Sequence, residues 1–200
     1  MDADAWNERY RRKDFVWTVE PNRFLVEAAA GLPPGRALDL AAGEGRNAVW
    51  LATLGWTVTA VDWSQVAVDK GRRRADHAGV EVEWVVDDLT RWRSPGPIYD
   101  LVTIVYLQIP AGERTAIWRE AAAAIAPGGR LVVIGHDTAN ITAGYGGPSS
   151  PAVLYTAAEV AAAIDGLLDV ERAGTVLRPV EDEDGVLHHA VDNLTVAVRR

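Results

Sequence analysis

The chain has 200 residues, 48% of them hydrophobic and 24% charged, which suits one globular domain with a full core and excludes a disordered protein. The net charge of −8 disfavours a polyanionic partner such as DNA or RNA, and the absence of cysteine excludes disulfides and thiolate metal sites. No apolar run is as long as a membrane span and the acidic N-terminus is unlike a signal peptide, so we expect a cytoplasmic protein without membrane partners.

Apolar strand patterns alternate with helix patterns along the chain. Helices are predicted at residues 3–13, 20–31, 46–54, 65–77, 111–126 and 157–164, and strands at 37–41, 57–62, 80–86, 99–107, 130–137, 169–178 and 190–198. Residues 138–151 are rich in Gly, Ser and Pro and are predicted as a loop. This alternation indicates an α/β fold with a doubly wound, mostly parallel sheet. We expect one domain over 1–200, with 1–31 as an N-terminal helical cap and 36–200 as the core.

Glycines and acidic residues follow the first three core strands. A G-x-G-x-x-A pattern at 43–48 is typical of a loop that lets backbone approach a dinucleotide. Asp62 ends the second strand, where a carboxylate can accept both hydroxyls of a ribose. Asp87 and Asp88 end the third, where a carboxylate can accept from an adenine amino group. Each feature alone also fits a tight turn or a helix cap, but the combination predicts an adenosine site.

Asp39 bears on which adenosine cofactor binds. It lies four positions before Gly43, inside the first apolar run. A pyrophosphate such as that of NAD favours a helix N-terminus without nearby acids. S-adenosylmethionine instead carries an ammonium and a sulfonium, which suit an acid below the loop. The pattern therefore favours S-adenosylmethionine.

The chain resembles class I S-adenosylmethionine-dependent methyltransferases over nearly its whole length. Their motifs are matched by LDLAAGEGRN, VTAVDWS, VEWVVDDLT and YDLVTIVYL, and by the Pro-Gly-Gly turn and fifth strand in IAPGGRLVVIG. Ala42 stands where many members carry Cys or Gly. The leading WNERYRRKDFVW is similar to small-molecule enzymes of the tellurite-resistance and thiopurine-methyltransferase type. The resemblance implies a Rossmann-like sheet of seven strands, the last antiparallel beside the fifth, with the N-terminal helices as a partial lid.

The resemblance also implies roles for individual residues. Cofactor-binding positions are expected at Asp39, Ala41, Gly43, Gly45, Asn47, Asp62, Trp63, Asp87, Asp88, Leu89 and Val105. Catalytic candidates at the fourth and fifth strand ends are Tyr106, Gln108 and His136, the last beside Asp137 and equally readable as a histidine satisfied by backbone. A lid formed by the N-terminal segment and the 138–151 loop would place Trp17, Tyr106, His136 and Tyr145 around the acceptor.

The expected activity is methyl transfer from S-adenosylmethionine, leaving S-adenosylhomocysteine, to a small-molecule acceptor at N, O, S or a metalloid. No His, Asp or Glu spacing indicates a metal site, and the sequence leaves the oligomeric state open. Two alternatives remain: a non-catalytic S-adenosylmethionine-binding sensor or partner subunit, and an NAD(P)-dependent reductase. The second lacks a Tyr-x-x-x-Lys pair.

Overall fold

A computed structural model describes residues 3–12 and 19–200 of the chain. Within these residues a single seven-stranded sheet has the order β3-β2-β1-β4-β5-β7-β6. The strands are β1 (Arg36–Leu40), β2 (Thr57–Asp62), β3 (Glu83–Val86), β4 (Tyr99–Val105), β5 (Ile125–His136), β6 (Asp169–Glu181) and β7 (Leu187–Val198). The first five are parallel, and β7 lies antiparallel between β5 and β6. The predicted Rossmann-like sheet with an inserted antiparallel last strand is therefore confirmed.

Helices connect the parallel strands, as the alternating pattern predicts. They are α1 (Ala3–Arg11), α2 (Arg23–Ala29), α3 (Arg46–Thr53), α4 (Gln65–Ala78), α5 (Ala111–Ala123), α6 (Asn140–Ala143) and α7 (Ala157–Ala163), with a 3₁₀ turn at Pro151–Val153. The sheet separates two apolar clusters, one under α5 and α7 and the other under α2 and α3. Parallel strands buried on both faces explain the apolar runs in the sequence.

Side-chain caps set two of the helix starts where the sequence predicts them. Ser64 precedes α4 and its hydroxyl accepts from the Ala67 amide at 3.1 Å. Thr156 and Glu159 form a reciprocal capping box at the start of α7. At the other end of α4, Gly79 adopts φ +67°, the left-handed conformation that often terminates a helix. These capping residues fix where α4 begins and ends and where α7 begins.

The structure corrects several predicted boundaries: β3 begins at Glu83 instead of residue 80, β6 extends to Glu181 instead of 178, and β7 begins at Leu187 instead of residue 190. The fifth strand begins at Ile125 instead of residue 130, because Ile125 already pairs with Tyr99 of β4. The register then shifts, and the Pro-Gly-Gly segment lies between this pair and the next one. The 138–151 region is not a bare loop, since it contains α6 and leads into the 3₁₀ turn. Asn140 holds this region through its Nδ2, which donates to the Gly146 carbonyl at 2.8 Å, and its Oδ1, which accepts from the Val191 amide at 2.7 Å.

Candidate functional site

A cavity of about 990 Å³ opens at the carboxyl ends of the parallel strands. In open α/β sheets this edge is the usual ligand site, because the connecting loops there diverge to either face. The cavity is lined by the segments that follow β1, β2 and β4, by the ends of β5 and β6, and by parts of α1 and the chain before α2. The predicted residues that line it are Ala41, Gly43, Asn47, Asp62, Trp63, Leu89, Val105, Tyr106, Gln108, His136 and Tyr145.

The glycine loop after β1 is held in conformations that favour glycine. Gly43 and Gly45 have φ values of +55° and +75°, and a Cβ on Gly43 would lie 2.9 Å from the Tyr10 hydroxyl. A Cβ on Gly45 would overlap the Trp84 ring, which explains why this residue is a glycine although it does not line the cavity. Ala41 has φ +59°, an uncommon value for a residue with a side chain. Strain of this kind often accompanies a functional site.

Asp62 is the buried acid that connects this loop to the end of β2. Its Oδ2 accepts from the Gly43 amide at 2.8 Å, and its Oδ1 accepts from the Ser64 amide at the same distance. Burial raises the pKa of Asp62, and the two backbone donors act against that rise. The side chain thus supports the loop and also lines the cavity.

The two acids after β3 lie outside the cavity lining. Asp87 is exposed and accepts from the Asp88 amide at 2.8 Å. The Oδ1 of Asp88 accepts from the amide and the hydroxyl of Thr90, at 2.9 and 2.8 Å. This is the turn-capping alternative that the sequence allowed. The lining after β3 comes instead from Leu89 and Thr90, with Trp63 nearby after β2.

Asp39 lies inside the sheet, and the structure does not bring it to the cavity surface. It is 1% exposed, and its Oδ1 accepts from the Thr103 hydroxyl at 2.6 Å across the β1–β4 pair. Burial raises the pKa of Asp39 from 3.8 to about 7. The expected contact with a ligand ammonium stays a prediction, and the burial argues against a direct one.

The raised pKa of Asp39 predicts a pH dependence of stability. Unfolded chains ionise Asp39 near pH 3.8, whereas the folded protein keeps the proton up to about pH 7. The folded state therefore binds more protons in that window, and the stability this contributes is lost as the pH rises through it. As the pH rises from about 5 to about 8, we expect the free energy of unfolding of Asp39→Asn to increase relative to that of the wild type by on the order of 2 kcal/mol. Urea unfolding at both pH values measures this, and a constant difference would contradict it.

A buried ion pair supports the glycine loop from α4. Lys70 Nζ lies 3.0 Å from Glu44 Oε1, and the two side chains are 9% and 3% exposed. Lys70 also donates to the Tyr10 carbonyl of α1 at 2.6 Å. The Asn7 side chain of α1 accepts from the Ser64 hydroxyl at 2.7 Å. Helix α1 is therefore attached beside the cavity by contacts with α4 and its N-cap residue Ser64, and α4 also supports the glycine loop.

Four side chains form one cluster beside the ends of β4 and β5, which we call the Asp192 cluster (Tyr106, His136, Arg178 and Asp192). Arg178 lies near the end of β6 and Asp192 in the middle of β7. Asp192 is 0% exposed, and its Oδ2 accepts from the Tyr106 hydroxyl at 2.6 Å and from Arg178 Nε at 2.8 Å. His136 Nδ1 lies 3.0 Å from the other oxygen, Oδ1. The Tyr106 and His136 rings stack with centroids 4.7 Å apart.

Burial and the neighbouring Asp192 charge raise the pKa of Tyr106, so this side chain stays a phenol and donates its proton. Tyr106 also has φ +62°. Like Ala41, it is a residue other than glycine at a strand end whose backbone adopts this strained conformation. These properties suit an anchoring hydrogen-bond donor and argue against a basic role. Gln108, two residues further on, is half-buried in the lining.

His136 has a different carboxylate partner from the sequence neighbour, Asp137. The Oδ1 of Asp137 accepts from the Ala139 amide at 2.9 Å and so starts the turn into α6. The carboxylate beside the imidazole is instead that of Asp192, which is paired with His136 between β5 and β7. Opposite residues of an antiparallel pair share one face of the sheet, which explains the contact.

The two segments expected to form a lid both reach the cavity. Residues 146–150 of the glycine-rich region line it, as do Trp6, Arg9 and Tyr10 of α1 and residues 20–23. Tyr145 stacks on His188 with centroids 4.0 Å apart, and its amide donates to the His189 carbonyl. Asn47 accepts from the Asn22 amide at 2.9 Å, which connects α3 to the chain before α2. Trp17 lies outside the described residues.

Sequence reasoning did not identify Asp192, Arg178 or Arg46 as residues of this site. Arg46 and Arg178 line the cavity, with their guanidinium carbons 5.8 and 5.6 Å from the Tyr106 ring centre. Burial and the nearby Arg178 charge lower the pKa of Arg46. A signal was present for Asp192, because a lone acid inside the apolar run of a central strand requires a partner.

Within residues 3–12 and 19–200, no three His, Asp or Glu side chains converge in a way that would hold a metal ion. None of the helices in the same two segments combines the length and the apolar character that a bilayer crossing requires.

The chain is similar to known methyltransferases over part of its length. The family described as methyltransferase domain matches residues 37–129. A demethylmenaquinone methyltransferase from Mycobacterium sp. (strain KMS) is 36% identical over 134 residues, which are 65% of this chain and 56% of that protein. The chain thus spans about half the length of the curated relatives it matches.

Solved structures share the fold. One, described as "Conversion of a Disulfide Bond into a Thioacetal Group during Echinomycin Biosynthesis", is 20% identical with a TM-score of 0.76 over 98% of this chain and 91% of that one. TehB from Haemophilus influenzae is 15% identical, with a TM-score of 0.69 over 99% of this chain and 67% of that one. Magnesium protoporphyrin IX methyltransferase from Synechocystis PCC 6803, with bound S-adenosylmethionine, is 19% identical with a TM-score of 0.63 over 88% and 76%.

The matched segment contains the glycine loop, the acid after β2 and the Pro-Gly-Gly turn, which are the features on which the sequence resemblance rested. The description of the matched family supports S-adenosylmethionine over NAD as the cofactor of the predicted adenosine site. Residues 37–129 of this chain match the methyltransferase domain family, and the chain shares the fold of the similar solved structures.

Proposed function

We propose that the chain transfers the methyl group of S-adenosylmethionine to a small-molecule acceptor bound in the same cavity. The observation that carries the proposal is that one cavity contains both the glycine loop with Asp62 and, at the neighbouring strand ends, Tyr106 and His136. Its volume of about 990 Å³ lies at the upper end of the range for small-molecule sites, which suits two ligands side by side.

The relatives support a small acceptor. Those that match by sequence include several named demethylmenaquinone methyltransferases, and a similar structure concerns a disulfide converted to a thioacetal. The proposal covers acceptors that react at N, O, S or a metalloid. It treats residues 1–200 as one domain in which 1–31 cap the cavity of the 36–200 core. The cytoplasmic location and the lack of a nucleic-acid partner stay predictions.

On the cofactor side we propose that Asp62 accepts from the ribose hydroxyls and Trp63 packs on the adenine. Both line the cavity beside the glycine loop. The Leu89 segment then faces the adenine edge, while Gly43 leaves room for the methionine part. When bound, the cofactor supplies a methyl group on a sulfonium, which is a good leaving group. The protein's own task is therefore mainly to align an acceptor with it.

A first prediction tests the ribose assignment. Loss of a hydrogen bond to a charged group costs about 1.5–3 kcal/mol. We therefore expect Asp62→Ala to weaken S-adenosylhomocysteine binding by about 10- to 150-fold in calorimetry. The control Asp69→Ala, which removes an exposed carboxylate of α4, should bind like the wild type. Unchanged affinity in a folded Asp62→Ala protein would refute the assignment.

On the acceptor side we propose His136 as the general base. It lines the cavity, is only 8% exposed and rests against the buried Asp192. A base removes the acceptor proton as the acceptor attacks, which helps phenols and amines more than thiolates. Tyr106, held as a donor by Asp192, positions the ring of His136 by stacking.

A methyl-transfer screen tests the function. The protein is incubated with methyl-labelled S-adenosylmethionine and panels of phenols, amines, thiols, hydroquinones and metalloid oxyanions, and product is followed by retained label. We expect label in at least one class, and less of it in His136→Gln at equal cofactor occupancy. Tight S-adenosylhomocysteine binding without transfer to any class would support the non-catalytic binding alternative.

A further inference from the structure

Asp192 contacts three side chains of the cavity but does not line the cavity itself. It lies in β7 directly opposite His136 of β5, and Arg178 of β6 is its diagonal neighbour on the same face. The carboxylate is fully buried. A buried charge of this kind is costly unless several partners compensate it, and here Tyr106, Arg178 and His136 surround it.

The hydrogen bonds of the cluster determine which atom carries which proton. Burial would raise the pKa of Asp192, but the His136 ring beside it and the hydrogen bonds from Arg178 and Tyr106 outweigh that effect and hold the pKa below its ordinary value. An ionised carboxylate only accepts hydrogen bonds. Its Oδ2 is already used by the Tyr106 hydroxyl and Arg178 Nε, so Oδ1 is the atom that faces His136.

His136 Nδ1 is therefore the nitrogen that needs a proton. The Nδ1–Oδ1 distance of 3.0 Å is short, although the angle falls outside that of a hydrogen bond. Such contacts are often poorly aligned before substrate binds. In neutral imidazole one ring nitrogen donates and the other accepts. A proton on Nδ1 leaves Nε2 with its lone pair free.

We propose that Asp192 is a positioning residue that fixes His136 in the tautomer with the proton on Nδ1, which makes Nε2 the base for the acceptor. The inference rests on the proposed function. In the transfer, the acceptor proton passes to Nε2, an acceptor lone pair bonds to the methyl carbon, and the electrons of the broken carbon–sulfur bond stay on sulfur. The imidazolium formed lies against the Asp192 carboxylate, which stabilises it, and then loses its proton to solvent.

The tautomer is measured directly by two-bond ¹H–¹⁵N correlation spectra of ¹⁵N-histidine-labelled protein at about pH 8.5, where an ordinary histidine is neutral. The chain has four histidines, and His136→Gln identifies the signal. We expect the wild type to carry the proton on His136 Nδ1. A proton on Nε2, alone or together with one on Nδ1, would overturn the proposal.

Asp192→Asn adds the kinetic readout, because an amide can donate to Nδ1 and so favour the unproductive tautomer. We expect the proton to move to Nε2 and kcat to fall about 10²-fold, with acceptor KM within a few-fold. Asp192→Glu, which keeps the carboxylate, should retain the Nδ1 proton. The matched control is Asp182→Asn, since Asp182 lies 2.7 Å from His188 Nε2. It should alter only the His188 signal.

The spectra also separate this proposal from the proposed function. Failure to find any acceptor would remove the methyl-transfer proposal but leave the tautomer measurement intact. A folded Asp192→Asn protein with an unchanged His136 tautomer and unchanged kcat would refute the positioning role while methyl transfer stood.

Discussion

Replacing His136 by Gln is expected to lower kcat for any accepted substrate by about 10²–10⁴-fold, the usual contribution of a general base. Gln retains the size and a hydrogen-bonding end, so the cluster with Asp192 should survive. Binding of S-adenosylhomocysteine should stay within a few-fold, because His136 lies at the end of β5, away from the glycine loop and Asp62. Steady-state transfer of labelled methyl measures the change.

The control for this experiment is His77→Gln, which alters an exposed histidine in the last turn of α4. It should leave both kcat and cofactor affinity at wild-type values. An unchanged kcat in His136→Gln would show that the acceptor needs no base there, as for a thiolate, and would contradict the role given to His136.

Replacing Lys70 by Met is expected to lower the free energy of unfolding by about 3–5 kcal/mol, the range for breaking a buried ion pair on one side. The variant leaves the Glu44 carboxylate, 3% exposed, without the ammonium that lies 3.0 Å from it. It also removes the donor to the Tyr10 carbonyl of α1. Urea unfolding followed by circular dichroism measures the loss.

The double variant Lys70→Met with Glu44→Gln should recover part of that stability, because the buried Glu44 charge is then removed together with that of Lys70. The matched surface control is Arg72→Met, whose partner Asp69 lies at the same 3.0 Å but with both side chains about half exposed. Exposed pairs contribute about 0–1 kcal/mol. Equal losses in Lys70→Met and Arg72→Met would contradict the buried-pair account.

The sheet and the cofactor side of the cavity were predictable because their signals are local in sequence. The G-x-G-x-x-A pattern, Asp62 at a strand end and the Ser64 cap are each read within a few residues, and the β–α alternation gives the strand direction. Asp88 shows the limit of such signals. A carboxylate at a strand end can cap a turn or bind a ligand, and only the structure shows its bonds to Thr90.

The acceptor side was less predictable because it depends on register between distant strands. His136 and Asp192 are 56 residues apart and meet through the β5–β7 pairing, which no local pattern specifies. Sequence reasoning therefore paired His136 with its neighbour Asp137. Asp39 shows a related limit: its position below the glycine loop was readable, but its burial against Thr103 depends on the β1–β4 register.

Calorimetric titration of the wild-type protein with S-adenosylhomocysteine and, separately, with NADH tests the central claim most directly. The claim is that the cavity at the ends of β1, β2 and β4 is an S-adenosylmethionine site. We predict saturable binding of about one S-adenosylhomocysteine per chain and no saturable heat with NADH at the same concentrations. Tight NADH binding together with no response to S-adenosylhomocysteine would contradict it.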